Sequence, residues 1–114
     1  MADPFVRAER RALIRQRTFL RGRICYGPKH VISIDCGIRN LTIHGAMLRV
    51  PGDQPLPPAF ALLQVSEGAA FDARVSWRRG DTLGVKFEGR HDLRGPVDEE
   101  FRALRAIWAA LASA

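Results

Sequence analysis

No apolar run in this chain of 114 residues approaches the roughly 20 residues that a bilayer-spanning helix needs, so no membrane insertion is expected. There are only two cysteines, Cys25 and Cys36. Both sit in apolar, strand-like runs with no second pair and no histidine at metal-ligand spacing, which argues against zinc and makes them reduced core residues. The histidines, His30, His44 and His91, are dispersed. No serine or cysteine nucleophile is matched to a histidine and an acid, and no block of paired carboxylates stands out. A Walker-type phosphate loop and a Gly-rich dinucleotide fingerprint are both missing. No catalytic residue, metal or cofactor is therefore assigned, and an enzyme is not expected. The chain also lacks a secretory apolar segment, and its Arg-rich start lacks the serine enrichment of a transit peptide, so the expected location is cytoplasmic.

Lysine is nearly absent too. Arginine outnumbers it sixteen to two within a net charge of +6. Seven arginines up to position 23 face only Asp3 and Glu9, which places +5 of that charge in the first 23 residues. The planar guanidinium fork suits bidentate recognition of phosphates and base edges, whereas lysine offers a point charge. Residues 1–17 alternate charged and apolar groups with no sustained period, and read as a flexible basic arm whose order depends on a ligand.

From Thr18 the pattern changes. TFLRGRICY, HVISIDCG, RNLTI, AMLRV, FALLQVS, AFDARVSW and LGVKFE are short runs rich in branched and aromatic residues. Turn signals separate them at Gly27-Pro28, Gly37, Gly45, Pro51 to Pro58, Gly68 and Gly80-Asp81. Such spacing, without crossover helices, predicts an all-β, six- to seven-stranded antiparallel barrel in one domain over residues 18–114. A helix is predicted over 96–112: Pro96 suits a first turn, and Asp98, Glu99 and Glu100 suit the positive end of the helix dipole. Val97, Phe101, Leu104, Trp108 and Leu111 then fall on one face, which should cap the barrel. Trp77 is expected inward on its strand, with Arg78 and Arg79 at the strand end.

Three separated segments carry the functional signal. In ERRALIRQR, Arg11 and Arg15 form an RxxxR pair, with Arg10 and Arg17 as the alternates in register. In RNLTIHGAMLRV, Asn40, Thr42 and Gly45 form an [D/N]x[S/T]xxG set. ARVSWRRGDTLGVKFE has the form of a late hairpin, a Val-x-Trp strand, a turn and a Gly-Val-x-Phe strand. In this order and at this spacing, over roughly residues 9 to 88, the chain resembles the PilZ family. The resemblance implies a PilZ-type barrel that serves as a bacterial receptor for the second messenger cyclic di-GMP, with Arg11, Arg15, Asn40, Thr42 and Gly45 as ligand-binding residues. It further implies an arm that wraps the ligand, and an adaptor that signals to an as yet unidentified protein target in motility, surface attachment or exopolysaccharide output.

The chemistry of that ligand fits these residue types. Cyclic di-GMP carries two phosphates and two guanines, and guanine O6 and N7 accept bidentately from an arginine fork. Asn40 offers an amide that can accept from guanine, Thr42 a hydroxyl, and Gly45 either a close backbone approach or a positive φ. Asparagine and threonine stand where the family more often has aspartate and serine. That exchanges a charge-assisted hydrogen bond for a neutral one and implies weaker binding. Two other readings compete: a degenerate PilZ domain acting as a protein-interaction module without nucleotide, and, ranked last, a small basic nucleic-acid-binding barrel that uses the arm and Trp77.

Overall fold

The computed structural model describes residues 19–113. The expected arm at 1–17, with Arg10, Arg11, Arg15 and Arg17, lies outside the described residues. The described chain forms six strands, β1 Leu20–Tyr26, β2 Ile32–Arg39, β3 Gly45–Arg49, β4 Ala59–Gln64, β5 Ala69–Arg79 and β6 Thr82–Asp92, then a helix, α1, Arg102–Ala112. Every neighbouring pair is antiparallel, and the order β1-β2-β3-β6-β5-β4 closes into a barrel through β1 and β4. Closure removes the free strand edges that an open sheet of this length would leave unpaired.

The period-2 pattern sets which side chains fill the barrel. Ile24 on β1, Ile38 on β2, Leu48 on β3, Phe60 and Leu62 on β4, Phe71 and Ala73 on β5, and Leu83 and Val85 on β6 form one buried cluster. The run Phe60-Ala61-Leu62-Leu63 does not alternate in polarity because its strand is buried on both faces. Ala61 and Leu63 point outward and join Cys25, Ala70 and Leu93 in a second cluster, sealed by Leu104 of α1, with Val97, Phe101, Ile107 and Trp108 packed around it. Polar groups finish this seam. The Trp108 indole N–H donates to the Val65 carbonyl at 2.8 Å, and Arg105 Nε donates to the Leu93 carbonyl at 3.2 Å. The helix caps the outer wall across β1, β4 and β5.

Three expectations are corrected. The helix does not begin at Pro96: Asp98 is extended (φ −64°, ψ 157°), a single 3-10 turn spans Glu99–Phe101, and regular helix starts at Arg102. The extended entry lets Val97 reach the second cluster before the chain turns. RNLTI is not a strand either, because turn chemistry at Asn40 and Thr42 outweighs the β propensity of Leu41 and Ile43. Finally, Trp77 points outward and is 45% exposed. The β5–β6 register shifts between Val75 and Trp77, and one extra residue in a strand reverses which side chains face the core. The indole lies across Gly84, where a Cβ would come within 2.6 Å of its Cε2.

Candidate functional site

The β2–β3 connection, residues 40–44, sits at one end of the barrel. The start of β1 is at the same end, since Leu20 pairs with Ile38 and Gly22 with Gln64. Asn40 follows the last residue of β2 with φ 55°, a left-handed conformation in which asparagine is several-fold enriched among non-glycine residues. Its side chain is exposed, and its amide makes no hydrogen bond to another described residue.

Thr42 is engaged differently. Its backbone N–H donates to the Gly45 carbonyl at 2.9 Å. Its hydroxyl accepts from the His44 and Gly45 N–H groups at 3.1 and 3.3 Å, and can donate to the Gly45 carbonyl at 3.3 Å. The hydroxyl therefore holds the turn and offers a ligand little unspent capacity. Gly45 does not take a positive φ. The close approach expected there is to the barrel itself: a Cβ would fall inside the Val85 carbonyl oxygen and 3.2 Å from its carbon. The three motif residues thus share one turn but divide between ligand-accessible and structural roles. Arg11 and Arg15, with the alternates Arg10 and Arg17, lie outside the described residues.

The outer face of β2 and β3 adds two cations that the motif positions omit. Arg39, one residue before Asn40, and Arg49, which pairs with Gly37 across the strands, bring their guanidinium carbons to 5.2 and 5.9 Å from the Phe19 ring centre. That distance is within cation–π reach. Phe19 packs over Gly37, where a Cβ would come within 2.7 Å of its Cδ1. Arg39 Nε contacts Met47 Sδ at 3.1 Å, and Arg49 pairs with Asp81 at 3.3 Å in an exposed bridge that contributes little to stability. Beside Phe19 and Arg49 a shallow hollow of about 460 Å³ reaches Asp35 and Pro51. The sequence signal for this face was available in the odd-numbered alternation of Gly37 with Arg39 and Met47 with Arg49, once β2 and β3 are paired.

Other chemistry among the described residues is sparse. Cys36, at the edge of the hollow, has its thiol pushed up to about 12, first by burial and then by the Asp35 charge, so it is protonated and a poor nucleophile. His91 Nε2 lies 2.8 Å from Asp72 Oδ2, and its ring packs against Phe101 at 4.1 Å on the seam between barrel and helix. No nucleophile accompanies that pair. Among the described residues, no group of three or more His, Cys, Asp or Glu is placed to hold a metal ion, and no helix is long and apolar enough to cross a membrane. Comparison with models of protein families, with curated proteins and with solved structures finds no match to this chain.

Proposed function

We propose that this protein is a PilZ-type receptor for cyclic di-GMP, a binding module rather than a catalyst, which passes the signal to a protein partner. The observation that carries this reading is where the chain enters the barrel. Phe19 packs on the β2–β3 face between Arg39 and Arg49, and the turn that follows β2 presents the exposed Asn40 side chain. Arg15 is four residues upstream of Phe19, so chain length alone keeps its Cα within about 14 Å of this face, and Arg11 within about 28 Å. Arg39, Arg49 and the Asn40 amide present donors of the kind that suit phosphates and guanine edges, and the RxxxR pair stands close upstream in the sequence.

Isothermal titration of the full chain with cyclic di-GMP tests the reading, with Asn40→Gly as the decisive variant. Glycine accepts φ 55° without strain, so the turn is kept while the amide is removed. Binding should weaken about tenfold, as for loss of a hydrogen bond to a ligand edge. An Arg15→Ala variant should lose more, since it removes a charged partner. Absence of binding heat at tens of micromolar messenger, or equal affinity in both variants, would sink the proposal.

One observation favours a second reading. The Thr42 hydroxyl is already committed to its own turn, as expected if the motif persists for structural reasons in a protein-interaction module that binds no nucleotide. That reading predicts a partner captured equally with and without cyclic di-GMP.

A further inference from the structure

The outer face of β2, β3, β6 and β5 carries an aromatic and basic surface, most of which the cyclic di-GMP reading does not use. Strand register aligns it in rows. Arg39 on β2 pairs with Met47 on β3, Met47 with Gly84 on β6, and Gly84 with Trp77 on β5. Residues paired across a ladder share one side of the sheet, so these positions lie in a line on the outside of the barrel. Trp77 joins the line because the β5 bulge reverses its phase. Its indole covers Gly84, which has no side chain to hold it off, and remains 45% exposed. The rows on either side supply charge. Arg49 and Arg79 both pair with Thr82 on one side, and Arg74 pairs with Lys86 on the other. Of these five cations two are bridged, Arg49 to Asp81 at 3.3 Å and Arg74 to Glu88 at 3.4 Å, in exposed pairs that hold their arginines weakly. Arg79 and Lys86 are exposed and form no salt bridge with another described residue.

We infer that this face binds single-stranded nucleic acid. An exposed indole offers a base a flat partner, and the cations on both sides of it offer the neighbouring phosphates theirs. Phe19, packed over Gly37 between Arg39 and Arg49, supplies a second ring. Gly37 lies two strands and two residues from Gly84 in the ladder, so the positions that the rings cover are roughly 12 Å apart. The bases of a duplex are paired and stacked at about 3.4 Å. Only an unpaired, extended strand can lay a base on each ring. Met47 lies between the two as a soft apolar floor. An acidic peptide would answer the charge and leave the indole without a flat partner. A lipid surface would need an apolar side chain standing off the sheet, whereas Trp77 lies along it, across Gly84. The surface meets the cyclic di-GMP reading at Arg39 and Arg49 but rests on Trp77, Arg79 and Lys86, so it does not depend on that reading.

Fluorescence anisotropy of a labelled oligouridylate of about twelve nucleotides, titrated with the full chain free of messenger, tests this. Half-saturation is expected on the order of 10 µM at about 0.1 M salt, with a log–log salt slope near −2, as for about three phosphates. Trp77→Ala should weaken binding about tenfold, while Trp77→Phe keeps a stacking ring and should retain most of it. A double variant, Arg79→Glu with Lys86→Glu, should weaken binding and flatten the salt slope. Both positions are exposed, so this variant reports even if loss of the indole unsettles the hairpin. Equal affinity in Trp77→Ala and the parent would overturn the inference, as would no binding at roughly 100 µM protein. So would a duplex of the same length, polyglutamate or anionic vesicles bound as tightly as the single strand, since charge alone would then explain the surface.

Discussion

Replacing Gly45 by alanine isolates the structural half of the motif turn. Gly45 pairs with Lys86 at the start of the β3–β6 ladder, and a Cβ there would overlap the Val85 carbonyl oxygen while lying 3.2 Å from its carbon and 3.4 Å from Lys86 Cα. All three obstacles are backbone atoms, so no side-chain rotation relieves them. Relief requires β3 to move off β6, which disturbs the register that places Leu48 opposite Leu83 in the core. Overpacking of this kind costs about 3 kcal/mol where the surroundings cannot yield. For a domain of this size that corresponds to a fall in Tm of roughly 12–24 °C. Scanning calorimetry of Gly45→Ala against the parent measures it. Gly95→Ala is the control, because a Cβ there meets nothing within 4 Å and its φ is ordinary, and it should leave Tm unchanged or slightly raised. A loss below about 4 °C at Gly45, equivalent to about 1 kcal/mol, would refute the argument that the fold itself requires this glycine.

Other outcomes follow from the packing and the buried thiols. Leu104→Ala empties the centre of the outer cluster beneath α1 and should cost about 2–5 kcal/mol by urea denaturation; a change under about 1 kcal/mol would mean that α1 is not docked as described. Trp108→Phe keeps the ring but leaves the Val65 carbonyl without its 2.8 Å donor, for an expected loss of about 1–2 kcal/mol in the same assay. Burial pushes the Cys25 thiol up to about 11 and, with help from Asp35, the Cys36 thiol up to about 12. A folded pKa raised above the unfolded value adds stability that is complete below about pH 9 and is lost as pH climbs through the folded values, on the order of 1 kcal/mol per cysteine by about pH 10. Denaturant midpoints between neutral and alkaline pH should show this decline, and a C25A/C36A variant should flatten it; an equal slope in both proteins would overturn it.

The barrel was legible because its strands obey simple rules. The alternation in Gly22-Arg23-Ile24 and the Gly80-Asp81 hairpin could be read directly, and the all-β class follows from the turn spacing. What could not be read depended on neighbours far along the chain. Trp77 turns outward because a bulge against β6 shifts its phase, and no local pattern marks that bulge. RNLTI looked like a strand because Leu, Thr and Ile favour one, but Thr42 satisfies three backbone contacts of a turn with a single hydroxyl. Arg39 and Arg49 were hidden in plain strands, since only pairing across β2–β3 shows that they flank one aromatic ring. Gln64 was hidden for the same reason: at the end of an apolar run it reads as a strand terminus, and only barrel closure turns it into the one buried polar side chain among the described residues.

The turn at residues 40–45 also shows why a motif of this form is ambiguous in one sequence. Thr42 and Gly45 are needed whether or not a ligand binds, one to tie the turn and the other to let β3 close on β6. Asn40 is constrained by its left-handed backbone, which asparagine and aspartate tolerate and most residues do not. Three positions that look like a binding signature are thus each explained in part by the fold. Discrimination must come from a substitution that satisfies the fold and fails the ligand. Glycine at 40 does this, whereas changes at 42 or 45 damage the turn and report on stability first. Binding data on Thr42 or Gly45 variants therefore carry weight only after melting has been measured, and data on Asn40→Gly carry weight directly.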